Sequence, residues 1–130
     1  MIKAYLLYTG EDGHSHIKEG FLEENIMSEV KTISVKESSA GATFSWHNAP
    51  TTQYVICLSG VLEFATFTEE VFQLNPGEIL IAMDTTGSGH TWKLVSEEPW
   101  RRAYVTFNNG VQFNFKEKDQ VNELTENKNG

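Results

Sequence analysis

The chain has 130 residues, with 10 Lys and Arg against 18 Asp and Glu, giving a formal net charge of −8. One domain is the expectation at that length, and 39% hydrophobic with 12% aromatic residues suffices for a packed core without cross-links. The acidic balance excludes nucleic acid and anionic membrane surfaces as partners, because both demand clustered cations.

Taken in chain order, the apolar periodicity is that of strands. AYLLY (4–8) reads as the first. Residues 10–29 hold glycines, acids, His14 and His16 without a clean period, and read as a loop with one short strand or turn. VKTISVK (30–36), ATFSWH (42–47), QYVICLS (53–59), VLEFATF (61–67), EILIAM (78–83), TWKLVS (91–96) and RRAYVTF (101–107) follow. Gly60, Asn75-Pro76-Gly77, Gly87-Ser88-Gly89 and Pro99 punctuate them. Alternation in 61–67 puts Leu62 and Phe64 on one face and Val61, Glu63, Ala65 and Phe67 on the other. Leu58-Ser59-Gly60-Val61 reads as a tight bend between two antiparallel strands, and Glu69-Glu70 as a solvated hairpin end. Short strands at such spacing indicate an all-β sandwich or barrel. No helix of three turns is expected in 1–115, and residues 116–130 read as a polar tail or short surface helix. The expected domain is therefore 1–115, with 116–130 as a tail.

The N-terminus shows no secretory pattern, and apolar runs reach only five residues where a membrane helix needs about 20. The single cysteine, Cys57, lies in the apolar run YVICL and reads as a small buried hydrophobe. A cytoplasmic location is the expectation.

Two segments hold the chemistry-bearing residues. In the first, Gly41 is followed by five residues and then His47; Ala49, Gln53 and Gly60 complete the spacing. In the second, Pro76-Gly77 leads to His90 through Asp84. This pattern resembles the two motifs of the cupin superfamily, over roughly residues 30–107. That family's first motif carries His-X-His and a glutamate, and its second a further histidine. Here Ala49 falls in the slot of the second histidine and Gln53 in that of the glutamate.

The resemblance implies a single-domain double-stranded β-helix, the cupin jelly roll. It implies a divalent metal (Fe, Mn, Ni or Zn) on His47, Gln53 and His90, with His16, His14 or Asp84 as a further donor. With Ala49 and Gln53 in ligand slots, a metal-free ligand-binding or sensor protein is the alternative. Isomerase, lyase and dioxygenase chemistry all occur among small cupins, with Asp84 or Tyr104 as proton-moving residues. A metal-free proton pair of histidine with Tyr54 or Tyr104 is a third reading. The expected partner is a small organic molecule, and a homodimer is expected.

Alternation sketches the pocket. Gln53 inward brings Val55 and Cys57 inward; His90 brings Trp92 and Leu94; His47 brings Ser45 and Thr43. Tyr104 or Ala103 lines the opposite wall, and only one of Arg101 and Arg102 faces in. Trp46 reads as a core residue.

Overall fold

The computed structural model describes residues 1–119. Eleven strands occur among them: β1 (Ile2–Thr9), β2 (Ser15–Leu22), β3 (Thr32–Ser38), β4 (Thr43–His47), β5 (Gln53–Ser59), β6 (Leu62–Thr66), β7 (Val71–Leu74), β8 (Ile79–Ala82), β9 (His90–Leu94), β10 (Trp100–Thr106) and β11 (Phe115–Glu117). They form a seven-stranded sheet in the order β11-β2-β1-β8-β5-β10-β3 and a four-stranded sheet in the order β4-β9-β6-β7. No helix among the described residues is long and apolar enough to cross a membrane.

The central eight strands pair in a nested way. β3 pairs with β10, β4 with β9, β5 with β8 and β6 with β7, all antiparallel. The chain is thus one long antiparallel hairpin, whose successive rungs alternate between two facing sheets. That pairing is the jelly roll, or double-stranded β-helix.

Alternating residues from both sheets fill the space between them. Leu7, Val55, Cys57, Leu80 and Trp100 come from the larger sheet; Leu62, Phe64, Phe72, Leu74 and Leu94 come from the smaller. The outward positions of β5 and β6 are half-buried, or exposed at Leu58, which is the period-two pattern of their sequence. Each such buried side chain contributes about 1.5–3 kcal/mol of transfer free energy.

Three local expectations are corrected. Residues 10–29 hold a full-length strand rather than a short one: Ser15–Leu22 forms β2 along the full length of β1. β2 lacks a dry face, with only Ser15 and Gly20 buried, so its sequence carries no clean alternation. The bend at Leu58–Val61 does not join paired strands. It is a corner where the chain leaves the large sheet (β5) for the small one (β6), and Gly60 takes φ 83° there. Trp46 is 51% exposed rather than core. β11 lies against β2 and crosses the expected boundary at 115, where Gly20 admits it; a Cβ on Gly20 would lie 2.0 Å from the Lys116 carbonyl oxygen. The remainder of the expected tail lies outside the described residues.

Candidate functional site

One end of the cavity between the sheets is built by the two motif histidines. His47 ends β4 and His90 opens β9, and the two are direct partners in the antiparallel register. Their ring centroids are 4.4 Å apart. Gly89 makes this approach possible. It adopts φ 76°, and a Cβ there would stand 2.3 Å from the His47 carbonyl oxygen.

Both rings are held through Nδ1. His47 Nδ1 donates to the Ser45 carbonyl oxygen at 2.7 Å. His90 Nδ1 donates to Asp84 Oδ2 at 2.5 Å, and the Ser15 hydroxyl donates to the same oxygen at 2.6 Å. Engaging Nδ1 fixes each tautomer and leaves Nε2 as the available nitrogen. Burial lowers the His47 pKa, and neighbouring His90 adds to this, against the opposing Ser45 carbonyl and Asp84. His47 is therefore a neutral imidazole at pH 7, which is the form that ligates or accepts a proton.

Gln53 opens β5 and lines the same cavity, 9% exposed, with no hydrogen-bond partner for its side chain among the described residues. Ala49 is buried beside it and supplies no donor. Asp84 is fully buried and does not line the cavity; it reaches it only through His90. It is a positioning residue, not a group at the cavity mouth.

His16 and His14 are not placed with this pair. Ser15 is the residue of that stretch that points inward, to Asp84, so its neighbours face out. His16 bridges Asp12 (2.8 Å) and Glu70 (2.6 Å). His14 bonds the Ser88 hydroxyl at 2.9 Å and stacks on Phe67. Their i, i+2 spacing does put both rings on one face, but it is the outer one.

The cavity has a volume of roughly 360 Å³, within the range of small-molecule pockets. Val55 and Trp92 line it as alternation requires, and of Tyr104 and Ala103 it is Tyr104 that does. Ser45 and Thr43 do not; Phe44 does, because a register shift between Phe44 and His47 breaks the alternation of β4. Cys57 lies beneath, where burial pushes its thiol up to about 11 and leaves it unreactive at neutral pH. Of the two arginines, Arg102 is the inward one, 2% exposed; Arg101 stays outside, paired with Glu37. Alternation admitted this choice without making it, and the β10 register makes it.

Among the described residues no three His, Cys, Asp or Glu side chains gather at a point where they could share a metal ion. The donors at the polar end are two imidazoles and one amide. Two imidazole nitrogens and an unpartnered amide oxygen fit an open site for a borderline divalent ion, with positions left for a ligand.

No known family profile and no curated relative matches the chain. Solved structures do. A double-stranded β-helix protein from Klebsiella pneumoniae is similar at 24% identity over 78% of this chain and 84% of that one, with a TM-score of 0.49. The Cnp3 cupin domain of Schizosaccharomyces pombe is similar at 16% identity over 95% and 88%, TM-score 0.49. A cupin superfamily protein from Desulfitobacterium hafniense is similar at 12% identity over 82% and 78%, TM-score 0.47. The nested strand pairing of the chain itself, with both motif histidines meeting across β4 and β9, shows its fold to be a single double-stranded β-helix.

Proposed function

We propose that this protein is a cupin that holds a divalent metal ion on His47, His90 and Gln53 and binds a small organic molecule beside it. The observation that carries this reading is the anchoring of both Nδ1 atoms, which leaves two Nε2 atoms on adjacent strands at one cavity. Such outer hydrogen bonds are the usual companions of ligating histidines. A bound ion would supply Lewis acidity toward a carbonyl or hydroxyl of the ligand.

The chain's own groups do the rest. Asp84 and Ser15 hold the His90 ring in place. Phe44, Phe64 and Trp92 exclude water from the polar end. Tyr104 presents a hydroxyl to the same cavity, where it can hold or pass a proton. The second reading, a metal-free ligand-binding protein, is favoured by Ala49, which removes one donor of the full motif set.

Metal titration separates the two. Chelator-treated protein is titrated with Mn, Fe(II), Ni and Zn, in the wild type and in His47→Ala and His90→Ala variants. One tightly held ion per chain in the wild type, lost in both variants, is the expected result. A wild-type protein that retains none of the four ions overturns the metal reading in favour of the second.

A further inference from the structure

The far end of the cavity has a different character. Arg102 is almost fully buried and lines the cavity, yet no carboxylate is paired with it. Its Nε donates to the Tyr104 hydroxyl at 3.0 Å, and one Nη1 donates to Ser38 Oγ at 2.8 Å and to the Trp100 carbonyl at 3.2 Å. Nη2 has no partner among the described residues. The guanidinium lies over the Trp100 ring at 3.7 Å. That contact favours the cation but cannot take up N–H groups.

The strand register sharpens the anomaly. On the outer face of the β3·β10 pair, Arg101 stands opposite Glu37 and bonds it at 2.8 Å. On the inner face, Arg102 stands opposite Lys36, and both line the cavity. Like charges directly opposite each other across antiparallel strands are unfavourable. A buried charge without a counter-ion is more so. No Asp or Glu lines this cavity among the described residues, in a chain that carries 18 of them. Two cations facing one another with no acid between them make an anion site.

We propose that the ligand of this barrel is a small organic anion, whose carboxylate is held by Arg102 and Lys36 and whose apolar body extends toward His47 and His90. Arg102 is level with Cys57 on β5, and Gln53 lies four residues away, about 13 Å along the strand. The wall between the two ends is Val55, Phe64, Trp92 and Tyr104. A guanidinium presents a planar fork matched to a carboxylate, which sets the class of charged group. The aromatic and aliphatic walls set the class of body. The proposal names the ligand of the pocket described above, but its anion site stands apart from the metal ligands.

The test is calorimetric titration of chelator-treated protein with benzoate and hexanoate, against benzamide, hexanamide and inorganic phosphate. Wild-type protein is expected to bind both carboxylates at least about tenfold more tightly than their amides, a gap of about 1.4 kcal/mol, and more tightly than phosphate. Arg102→Met abolishes the preference. Lys36→Met, at an exposed position that cannot compromise folding, reduces the preference. Equal affinity for carboxylates and amides, phosphate bound as tightly as benzoate, or no carboxylate binding overturns the proposal. So does a preference that survives both variants. Carboxylate binding that appears only in metal-loaded protein and vanishes in His47→Ala also overturns it, and leaves the metal reading standing. Carboxylate binding through Arg102 in protein that takes up no metal does the reverse.

Discussion

Gly89 gives the sharpest test of how the two histidines are brought together. Replacing it with alanine perturbs two things. Its φ of 76° lies in the left-handed region, which costs an L-residue about 1–2 kcal/mol. The new methyl group would also stand 2.3 Å from the His47 carbonyl oxygen and 2.7 Å from its carbon. Side-chain carbons essentially never approach closer than 3.0 Å, so the end of β4 must retreat by about 0.7 Å. Overpacking of that kind costs about 1–3 kcal/mol. The sum for Gly89→Ala is about 2–5 kcal/mol. Gly77→Ala is the internal control. It shares the conformation, at φ 85°, but an added Cβ there meets nothing within 4 Å, so only the first term of about 1–2 kcal/mol applies. Urea unfolding followed by tryptophan fluorescence measures both. Because the retreat moves His47 away from His90 by more than a metal site tolerates, Gly89→Ala also weakens metal binding by about tenfold, and Gly77→Ala does not. Equal destabilisation in the two variants, with metal binding intact in both, would refute the reasoning.

Two further outcomes follow from the hydrogen-bond networks. Asp84→Asn keeps the shape but weakens the acceptor for His90 Nδ1, and metal affinity falls about 10- to 100-fold; competition against a chromophoric chelator measures this, and an unchanged affinity removes Asp84 from the positioning role. His16 has a raised pKa, because Asp12 first and Glu70 second accept hydrogen bonds from its ring. The folded state therefore binds that proton more tightly than the unfolded chain. The stabilisation is full below the ordinary histidine value of about 6.5 and fades as pH rises through the folded value. The wild-type Tm is expected to drop between about pH 6 and about pH 9 by more than that of His16→Gln, since other groups are common to both. Identical pH profiles for the two proteins contradict the assignment.

The sequence was readable where one side of a strand is dry. β5 alternates buried and half-buried residues from Gln53 to Cys57, and its bounds of 53 and 59 follow from the residues alone. β2 could not be found that way, because β1 and β11 flank it and both of its faces touch solvent. The motif spacing located His47, Gln53 and His90 at one cavity, because the glycines and the register that serve the fold also set those intervals. It could not place His16, since the face of a strand depends on which neighbour is inward, and Ser15 was chosen by a buried partner 69 residues away. Phe44 was hidden by a bulge, which shifts alternation by one residue and leaves no mark in composition. Arg102 was half visible: the doublet showed that one arginine faces in, and only the pairing with β3 shows that it faces a lysine.

The acidic charge balance and the two cations lining the cavity are consistent, because they act on different length scales. The net charge of −8 belongs to the whole chain, and among the described residues the acids lie outside the cavity lining. At physiological ionic strength their influence decays over about 8 Å of solvent. A polyanion must lie across that surface and meet many of them at once. A small anion inside the barrel meets Arg102 and Lys36 at contact distance, where two opposite charges 4 Å apart attract by about 4 kcal/mol at a dielectric near 20. Burial that deprives Arg102 of water also deprives it of screening, so its attraction is felt by whatever enters the cavity and by little outside it. An acidic surface and a cavity that selects a carboxylate are therefore compatible in one chain.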